Sequence, residues 1–324
     1  MRVVVTGAAG FAGTWLCRHL RARGDEVVGW VHHPVSQPLP GVIYREQDLA
    51  RGREVVSALA ADAPQEVYHL GALSHVGDCA ADPDRAIAVN VGGTEALLAG
   101  LPPGARLLLA STCHVYGRPL RLPVDEDHPL CPESLYGRTK ELAERLCLAA
   151  ARSGRHVVIA RAFHHTGPGQ DPRYALADWA RQLEARRQAR AAGRPQAPVR
   201  TGDLDLRRDY SDVRDIAAGY ALLLGRADAG EIVQLCSGEA PTLAELLALL
   251  AGGTLPPVET GPQRLRPADV PELRGSPARA SALGWKRRYS LSQTLSDLAR
   301  SIQGDGTGQS AADDTGRLSP RGRP

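Results

Sequence analysis

The fold of this chain is decided by its opening stretch, Arg2-Val-Val-Val-Thr-Gly7-Ala-Ala-Gly10-Phe11-Ala12-Gly13-Thr-Trp-Leu16. A short β-branched apolar run leads into three glycines, and apolar residues then recur at the spacing of a helix. This order predicts a strand, a tight turn and a helix whose N-terminal N–H groups can bind phosphate. The glycine spacing is Gly-x-x-Gly-x-x-Gly rather than the Gly-x-Gly-x-x-Gly of typical dehydrogenases. We therefore expect this first unit to bind a dinucleotide.

Strands and helices alternate along the rest of the chain. Apolar segments predict strands near residues 2–6, 26–31, 65–70, 106–110, 155–161 and 231–236, with helices between them. Alternation of this kind forms a parallel sheet with helices on both faces, so the predicted fold class is α/β with a doubly wound sheet. Ligands of such sheets bind outside the carboxyl ends of the strands.

Length, charge and cysteine usage exclude several classes of protein. A chain of 324 residues is long enough for one nucleotide-binding domain and a second lobe. The formal net charge of +3 indicates neither a nucleic-acid partner nor a membrane surface. Six cysteines without Cys-x-x-Cys pairs suit reduced thiols, and the sequence shows no signal peptide and no apolar run of membrane length. We expect a cytoplasmic enzyme.

A second informative stretch is Ser134-Leu-Tyr136-Gly-Arg-Thr-Lys140-Glu-Leu-Ala-Glu-Arg. A helix would place Tyr136 and Lys140 on one face because they are four residues apart. An ammonium beside a phenol favours tyrosinate and lowers the pKa of the phenol from about 10 towards neutral. Only two of the 39 basic residues are lysines, which makes a lysine here distinctive. The pair predicts a proton donor, although an ordinary pair on a solvated helix has the same spacing.

Four further motifs complete a series that is typical of one enzyme family. They are His69-Leu-Gly-Ala-Leu-Ser-His-Val76, Asn90-Val-Gly-Gly-Thr94, Ser111-Thr-Cys-His-Val-Tyr-Gly117 and Arg161-Ala-Phe-His-His-Thr-Gly-Pro-Gly169. With the two stretches above, they resemble the extended short-chain dehydrogenase/reductases, which act on nucleotide-diphosphate sugars. Within that family, residues 167–170, 206–215 and 264–271 look most like GDP-6-deoxy-4-keto-mannose reductases and GDP-mannose 4,6-dehydratases.

The resemblance implies a Rossmann-like domain and a smaller, discontinuous substrate-binding lobe. The dinucleotide-binding domain would comprise residues 1–162, with 209–236 returning to it. The lobe would comprise 163–208 and 237–300. Residues 303–324 are rich in glycine, serine, aspartate and arginine, and we expect them to form a disordered tail.

The resemblance also implies a homodimer. Family members usually pair the helix of the tyrosine and lysine, here near 134–150, and the helix near 91–100 with their copies in a second subunit. Both segments carry more apolar residues than one face against a sheet would need: Ala96, Leu97, Leu98, Leu135, Leu142, Ala143, Leu146 and Ala149. A two-fold interface is therefore expected.

Cofactor-binding residues follow from the resemblance. They are Gly7, Gly10, Phe11, Ala12, Gly13, His32, His33, Asp48, Leu49, Leu70, Gly71, Ala72, Tyr136, Lys140 and His164. NAD-specific relatives place an acidic residue where this chain has Val31, and related dehydratases carry arginines in place of His32 and His33. With no carboxylate to repel a phosphate, NADP is the expected cofactor, with NAD as the alternative. Asp48, after the next strand, either contacts the adenine edge together with Leu49 or caps a helix.

Thr112 joins Tyr136 and Lys140 because the family uses the aligned residue to donate a hydrogen bond to the reacting oxygen. In this reaction Tyr136 protonates the alkoxide that forms as a ketone accepts hydride. The implied substrate-binding residues are Ser74, Thr112, Cys113, His114, His164, Arg208 and Arg266. The two arginines would clamp the substrate diphosphate and nucleotide. No metal site is expected.

Two histidines depart from the family pattern. Where His114 stands, dehydratases carry a glutamate that removes a carbon-bound proton, and epimerase-reductases carry a cysteine. His114 is therefore either a passive pocket residue or a catalytic proton-transfer group. His164 stands where the family usually has an asparagine close to substrate and nicotinamide.

Three functions remain open. The first is reduction of the 4-keto group of a nucleotide-diphosphate 4-keto-6-deoxysugar, GDP-linked by resemblance. The second is another catalytic role as an epimerase, epimerase-reductase or 4,6-dehydratase with recycled bound cofactor. The third, a non-catalytic nucleotide sensor or RNA-associated relative, is disfavoured because a sensor has no need of a proton donor such as Tyr136.

Overall fold

The computed structural model describes residues 1–264 and 270–305, and its strands form one large sheet and three small ones. The strands are β1 (Arg2–Thr6), β2 (Glu26–Val31), β3 (Val42–Glu46), β4 (Glu66–His69), β5 (Arg106–Thr112), β6 (His156–Ala162), β7 (His164–Thr166), β8 (Val199–Thr201), β9 (Arg207–Arg208), β10 (Tyr210–Asp212), β11 (Ile232–Leu235), β12 (Val258–Thr260) and β13 (Glu272–Leu273). The large sheet is parallel throughout, in the order β3-β2-β1-β4-β5-β6-β11. This order confirms the predicted doubly wound α/β class.

Helices connect these strands. They are α1 (Phe11–Ala22), α2 (Gly52–Asp62), α3 (Val76–Ala81), α4 (Pro83–Ile87), α5 (Gly93–Gly100), α6 (Leu135–Arg152), α7 (Ala175–Ala191), α8 (Val213–Arg226), α9 (Leu243–Leu250), α10 (Ala278–Ala282) and α11 (Leu291–Asp305). A π-helical turn at Ala88–Gly92 leads into α5, and a 3₁₀ turn at Cys113–Val115 follows β5. In the described ranges no helix combines the length and apolarity needed to cross a membrane.

Both faces of the central strand β1 are buried. Val3 and Val5 belong to an apolar cluster with α1 and α8, whereas Val4 belongs to a second cluster with α2, α5 and α6. A parallel sheet needs such cover on both sides, which explains why its strands are nearly continuous apolar runs. The edge strand β3, whose bounds the sequence did not give, is more exposed and mixes polar with apolar residues.

The remaining strands form two-stranded parallel sheets beside the large one: β7 with β10, β8 with β12, and β9 with β13. Helices α7, α9 and α11 share their own apolar cluster, to which α11 contributes Leu295 and Leu298. The predicted disordered tail starts too early, because helical structure continues through Gln303 to Asp305. Its remainder, from residue 306, lies outside the described residues.

Four of the eight apolar residues expected at a dimer interface, Ala96, Leu97, Leu98 and Ala143, pack within the chain. Ala96, Leu97 and Ala143 are buried in the cluster shared by α5 and α6. Leu142 is 47% exposed and does not belong to that cluster. Packing inside one chain therefore explains only part of the apolar surplus on these helices, and the homodimer stays a prediction.

A buried ion pair fixes α6 against β5 and β6. Arg161 Nη2 lies 2.8 Å from Glu144 Oε2, with the two side chains only 3% and 2% exposed. Ser111 Oγ donates to the other carboxylate oxygen at 2.5 Å, and Arg161 Nη1 donates to Tyr116 Oη at 2.9 Å. Gln234 of β11 donates to the same phenol at 2.6 Å. The network thus joins three neighbouring strands to the helix of Tyr136 and Lys140.

We predict that Arg161→Met destabilises the protein by about 3–5 kcal/mol, because Glu144 is left as a buried charge without its partner. Arg145→Met is the matched control: Arg145 pairs with Glu141 on the same helix, but its side chain is 72% exposed. That change should alter the free energy of unfolding by less than about 1 kcal/mol. Urea denaturation measures both, and equal losses would contradict the importance given to the buried pair.

Candidate functional site

The glycine turn after β1 brings backbone atoms unusually close together. Gly7 has a φ of +69°, and a Cβ added there would lie 2.9 Å from the Cα of Gly71, which follows β4. A Cβ added at Gly13 would lie 2.1 Å from the carbonyl oxygen of Gly7. Gly10 is the N-cap of α1, so no side chain covers the first N–H groups of the helix. Those donors and the glycine cradle fit the pyrophosphate of a dinucleotide.

The start of α1 also touches the loop around β7. The ring of Phe11 stacks on that of His165, with centroids 6.0 Å apart and planes inclined by 9°. Trp15 Nε1 donates to the carbonyl oxygen of Pro168 at 3.0 Å. The first turns of α1 are therefore in direct contact with the segment that contains His164.

A buried histidine links the strand ends and was not predicted. His69 shares hydrogen bonds with Thr6 Oγ1 at 2.8 Å and with Thr94 Oγ1 at 3.0 Å. Burial, helped by the charge of Lys140, lowers the pKa of His69 to about 3, so the ring is neutral. The sequence signal for His69 was its place at the start of the motif His69–Val76. Its hydrogen-bond partners Thr94 and Thr6 lie 25 and 63 residues away in the chain, so the motif did not reveal them.

Asp48 lies between β3 and α2. Its carboxylate accepts a hydrogen bond from the N–H of Ala50 at 3.0 Å. The N-cap of α2 is Arg51, so the interpretation of Asp48 as the helix cap is wrong. Leu49 is buried, and its Cδ1 would lie 2.6 Å from a Cβ added at Gly71. Contact of Asp48 and Leu49 with adenine stays a prediction.

Arg85 of α4 is a residue that sequence reasoning missed. Its guanidinium binds both carboxylate oxygens of Asp48, at 2.9 and 3.1 Å. Its Nη2 also lies 3.5 Å from His32 Nε2, and the rings of His32 and His33 are 4.2 Å apart. These histidines are exposed, whereas Val31 before them belongs to the core. A permanent positive charge therefore lies beside the weakly basic histidines at the end of β2.

Thr112 and Tyr136 meet where β5 and α6 approach each other. The Thr112 hydroxyl lies near enough to the Tyr136 phenol to lower the pKa of that phenol. Ser134 caps α6 by accepting from the N–H of Gly137 at 3.1 Å. A Cβ added at Gly137 would lie 2.6 Å from the carbonyl oxygen of His114, so glycine is required for this approach. The structure thus brings together the predicted Thr112 and Tyr136.

The electrostatics of the tyrosine differ from the expectation. Burial raises the pKa of Tyr136 above its usual range, and the hydrogen bond from Thr112 only partly opposes this effect. Burial also lowers the pKa of Lys140 to about 8, although Cys147 and Glu144 favour its charged form. The predicted lowering of the phenol pKa by Lys140 is therefore wrong for this state of the site. Loss of hydration outweighs the attraction that a spacing of four suggested.

Asn90 connects α6 to the loop after β4. Its side-chain oxygen accepts from the N–H of Leu73 at 2.8 Å, and its Nδ2 donates to the Leu73 carbonyl at 3.0 Å and to Thr139 Oγ1 at 2.9 Å. Asn90 lies in the π-helical turn, a distortion that is frequent at functional sites. It positions the turn of α6 that carries Lys140.

Aromatic and sulfur side chains gather beside Tyr136. The ring of His114 lies 5.8 Å from that of Tyr136 and 5.8 Å from that of His164, which lies 5.4 Å from Tyr210. Burial, together with nearby positive charge, holds the pKa of His164 well below its usual range. Burial raises the pKa of the Cys113 thiol to about 12. These predicted pocket residues do lie together, in an environment that disfavours charge.

The other predicted substrate-binding residues lie in different surroundings. Arg208 is buried, and its Nη1 donates to the carbonyl oxygens of Arg207 and Val270 at 2.9 and 2.6 Å. The positive charge of Arg208 also acts to lower the pKa of Cys113 and of His164. Ser74 lies exposed in the loop before α3, and Arg266 falls outside the described residues.

Comparison with known proteins gives a consistent result. Residues 3–236 match the model of the NAD dependent epimerase/dehydratase family. The chain is similar to the GDP-6-deoxy-D-mannose reductase of Pseudomonas aeruginosa, 33% identical over 91% of this chain and 94% of that protein.

Solved structures are similar as well. RMD from Pseudomonas aeruginosa, complexed with NADPH, has a TM-score of 0.79 and 30% identity over 94% of this chain and 98% of that one. The UDP-glucose 4-epimerase of Thermus thermophilus, complexed with NAD, has a TM-score of 0.81 and 29% identity over 94% and 99%. Reductases and epimerases both match, so these likenesses agree with use of NADP or NAD.

We predict that the protein binds NADPH more tightly than NADH, and that Arg85→Ala weakens NADPH binding by about tenfold or more, since a hydrogen bond to a charged group contributes about 1.5–3 kcal/mol. The same change leaves Asp48 to repel a 2′-phosphate, whereas NADH affinity should change little. Arg51→Ala, which removes an exposed charge 4.0 Å from the same carboxylate, is the control. Fluorescence titration with NADPH and NADH measures both affinities. A wild-type preference for NADH would contradict the prediction that NADP is the preferred cofactor.

Proposed function

The chain belongs to the NAD dependent epimerase/dehydratase family, and we propose that it reduces the 4-keto group of a GDP-linked 4-keto-6-deoxysugar. It is an NAD(P)-dependent enzyme of the extended short-chain dehydrogenase/reductase type that acts on nucleotide sugars. The similarity to GDP-6-deoxy-D-mannose reductase supports the reductive direction and the guanine nucleotide.

The observation that carries the proposal is the proximity of the Thr112 hydroxyl to the Tyr136 phenol at the carboxyl end of β5. Two hydroxyl groups at one point can both bind a carbonyl oxygen, one as proton donor and one as hydrogen-bond donor. The adjoining positions hold Cys113 and His114, where dehydration would call for a carboxylate base. This combination supports ketone reduction better than 4,6-dehydration.

The mechanism uses a protonated phenol. When bound, the reduced nicotinamide supplies a hydride. Tyr136 gives its proton to the substrate oxygen as negative charge develops there, and Thr112 stabilises that oxygen. Because burial raises the pKa of Tyr136, the acid form is fully populated at neutral pH. Lys140 then stabilises the tyrosinate and binds the cofactor ribose, which requires its protonated form.

We further propose that Arg208 and Arg266 bind the substrate diphosphate and nucleotide, in a lobe formed by residues 163–208 and 237–300. The positive charge of Arg208 is held in place by the backbone carbonyls of Arg207 and Val270, so it adds a fixed rather than a mobile cation. Preorganised charge of this kind favours an anionic ligand.

Epimerisation coupled to reduction is the second candidate function. One observation favours it: the ring of His114 lies edge-on to that of Tyr136, with centroids 5.8 Å apart. A histidine at this position could remove a proton from a carbon next to the ketone.

We predict that Tyr136→Phe retains cofactor binding but loses at least about a hundredfold in turnover, because general acid catalysis supplies about 10²–10⁴. Lys140→Arg should also fail, since a planar guanidinium does not replace a compact ammonium. Oxidation of NADPH at 340 nm with a panel of 4-keto sugar nucleotides measures this, with Tyr44→Phe as the control. Near wild-type turnover in Tyr136→Phe would contradict the role of Tyr136 as the proton donor. Product formation without net NADPH consumption would indicate an epimerase or dehydratase.

Reaction in deuterated water separates the two candidates. If His114 is a passive pocket residue, NMR of the product should show no deuterium at carbon 3 or carbon 5. Deuterium at either carbon, abolished by His114→Ala while hydride transfer persists, would move the enzyme into the epimerase-reductase class.

A further inference from the structure

Three side chains that can bind a metal ion converge next to Tyr136. They are Cys113, His114 and His164, and one ligand atom from each lies within 4.8 Å of the other two. Both histidines occupy positions where the family pattern has other residues, so the cluster does not follow from the family chemistry.

The sheet itself creates this convergence. Cys113 and His114 form the turn directly after β5, and His164 is the first residue of β7, two residues after β6 ends. β5 and β6 are adjacent parallel strands, with Thr112 opposite Ala162 in register. The three ligand-bearing residues are therefore held at one edge of a rigid element rather than on independent loops.

One ring nitrogen of His164 makes no hydrogen bond within the described part of the chain. Its Nδ1 is buried and has no hydrogen-bond partner among the described residues. A buried polar atom without a partner destabilises the fold, and a ligand on that atom can recover the loss. The ring of His114 lies edge-on to that of His164, with centroids 5.8 Å apart, and the ring of Tyr210 is tilted against it at 5.4 Å.

We propose that Cys113, His114 and His164 form a site for Zn²⁺ in the substrate pocket. One sulfur and two imidazole nitrogens are ligands that zinc prefers, whereas Mg²⁺ and Ca²⁺ require oxygen. With zinc–ligand distances of about 2.0–2.3 Å, tetrahedral ligands lie about 3.5 Å apart, so the side chains need to close by at most about 1.3 Å. The fourth position stays open to water, which is typical of zinc sites with three protein ligands. This departs from the expectation that the chain has no metal site.

A bound Zn²⁺ would inhibit the enzyme by occupying space that the substrate needs. The cluster borders Tyr136, where the proposed function places the substrate ketone, so Zn²⁺ and the sugar would compete for one space. This consequence rests on the proposed function, whereas binding of the metal does not. We expect Zn²⁺ to raise the KM of the wild type for the keto sugar while leaving kcat nearly unchanged.

Titration of the chelator-treated full chain with Co²⁺, which replaces zinc and is coloured, tests the site without substrate. We expect one equivalent to bind, with a thiolate charge-transfer band and tetrahedral visible bands that Zn²⁺ abolishes. Cys113→Ser should remove the thiolate band, and His164→Asn should weaken affinity by at least about tenfold. His156→Asn is the matched control: its Nε2 is also buried without a partner, but it lies at the opposite end of β6.

Absence of a thiolate band in the wild type would overturn the proposal. So would unchanged affinity in His164→Asn, or an equal loss in His156→Asn, with circular dichroism confirming that each variant is folded. If the metal binds as expected but does not affect KM, the site stands and the placement of the substrate ketone is wrong. If NADPH oxidation fails with every sugar while Co²⁺ binds, only the proposed function fails.

Discussion

The buried ion pair between Arg161 and Glu144 holds the candidate site together. Arg161 belongs to β6 and Glu144 to α6, and Glu144 also accepts from Ser111 of β5. Because Tyr136 and Lys140 lie on the same helix as Glu144, this pair sets their distance from the ends of the strands. A buried pair contributes little net stability by itself, but it penalises every arrangement in which either charge loses its partner.

Burial determines which protonation states the side chains of the pocket favour. Burial raises the pKa of Tyr136 and lowers those of Lys140 and His164, so each group is pushed towards its neutral form. Such surroundings strengthen any hydrogen bond or charge that a ligand brings with it. The few permanent charges nearby, above all Arg208, therefore have an influence larger than their number suggests.

The sequence was sufficient for features that depend on local pattern. The glycine turn and six strands of the sheet follow from short motifs, and the placement of Thr112 beside Tyr136 follows from the family resemblance. Contacts between distant segments did not follow, because nothing near Arg85 in the chain indicates that it binds Asp48, 37 residues away. The direction of the Tyr136 pKa was wrong for a related reason: spacing reveals a neighbouring charge but not the loss of water.

The stack of Phe11 on His165 limits how this enzyme can be redesigned. His165 follows His164, so the segment proposed as the floor of the sugar pocket contacts the first residue of α1, the helix proposed to bind the pyrophosphate. A substitution that reshapes the pocket for another sugar will shift this ring and, through it, the start of α1. Under the proposed function, selectivity for the sugar and affinity for the dinucleotide are therefore physically coupled.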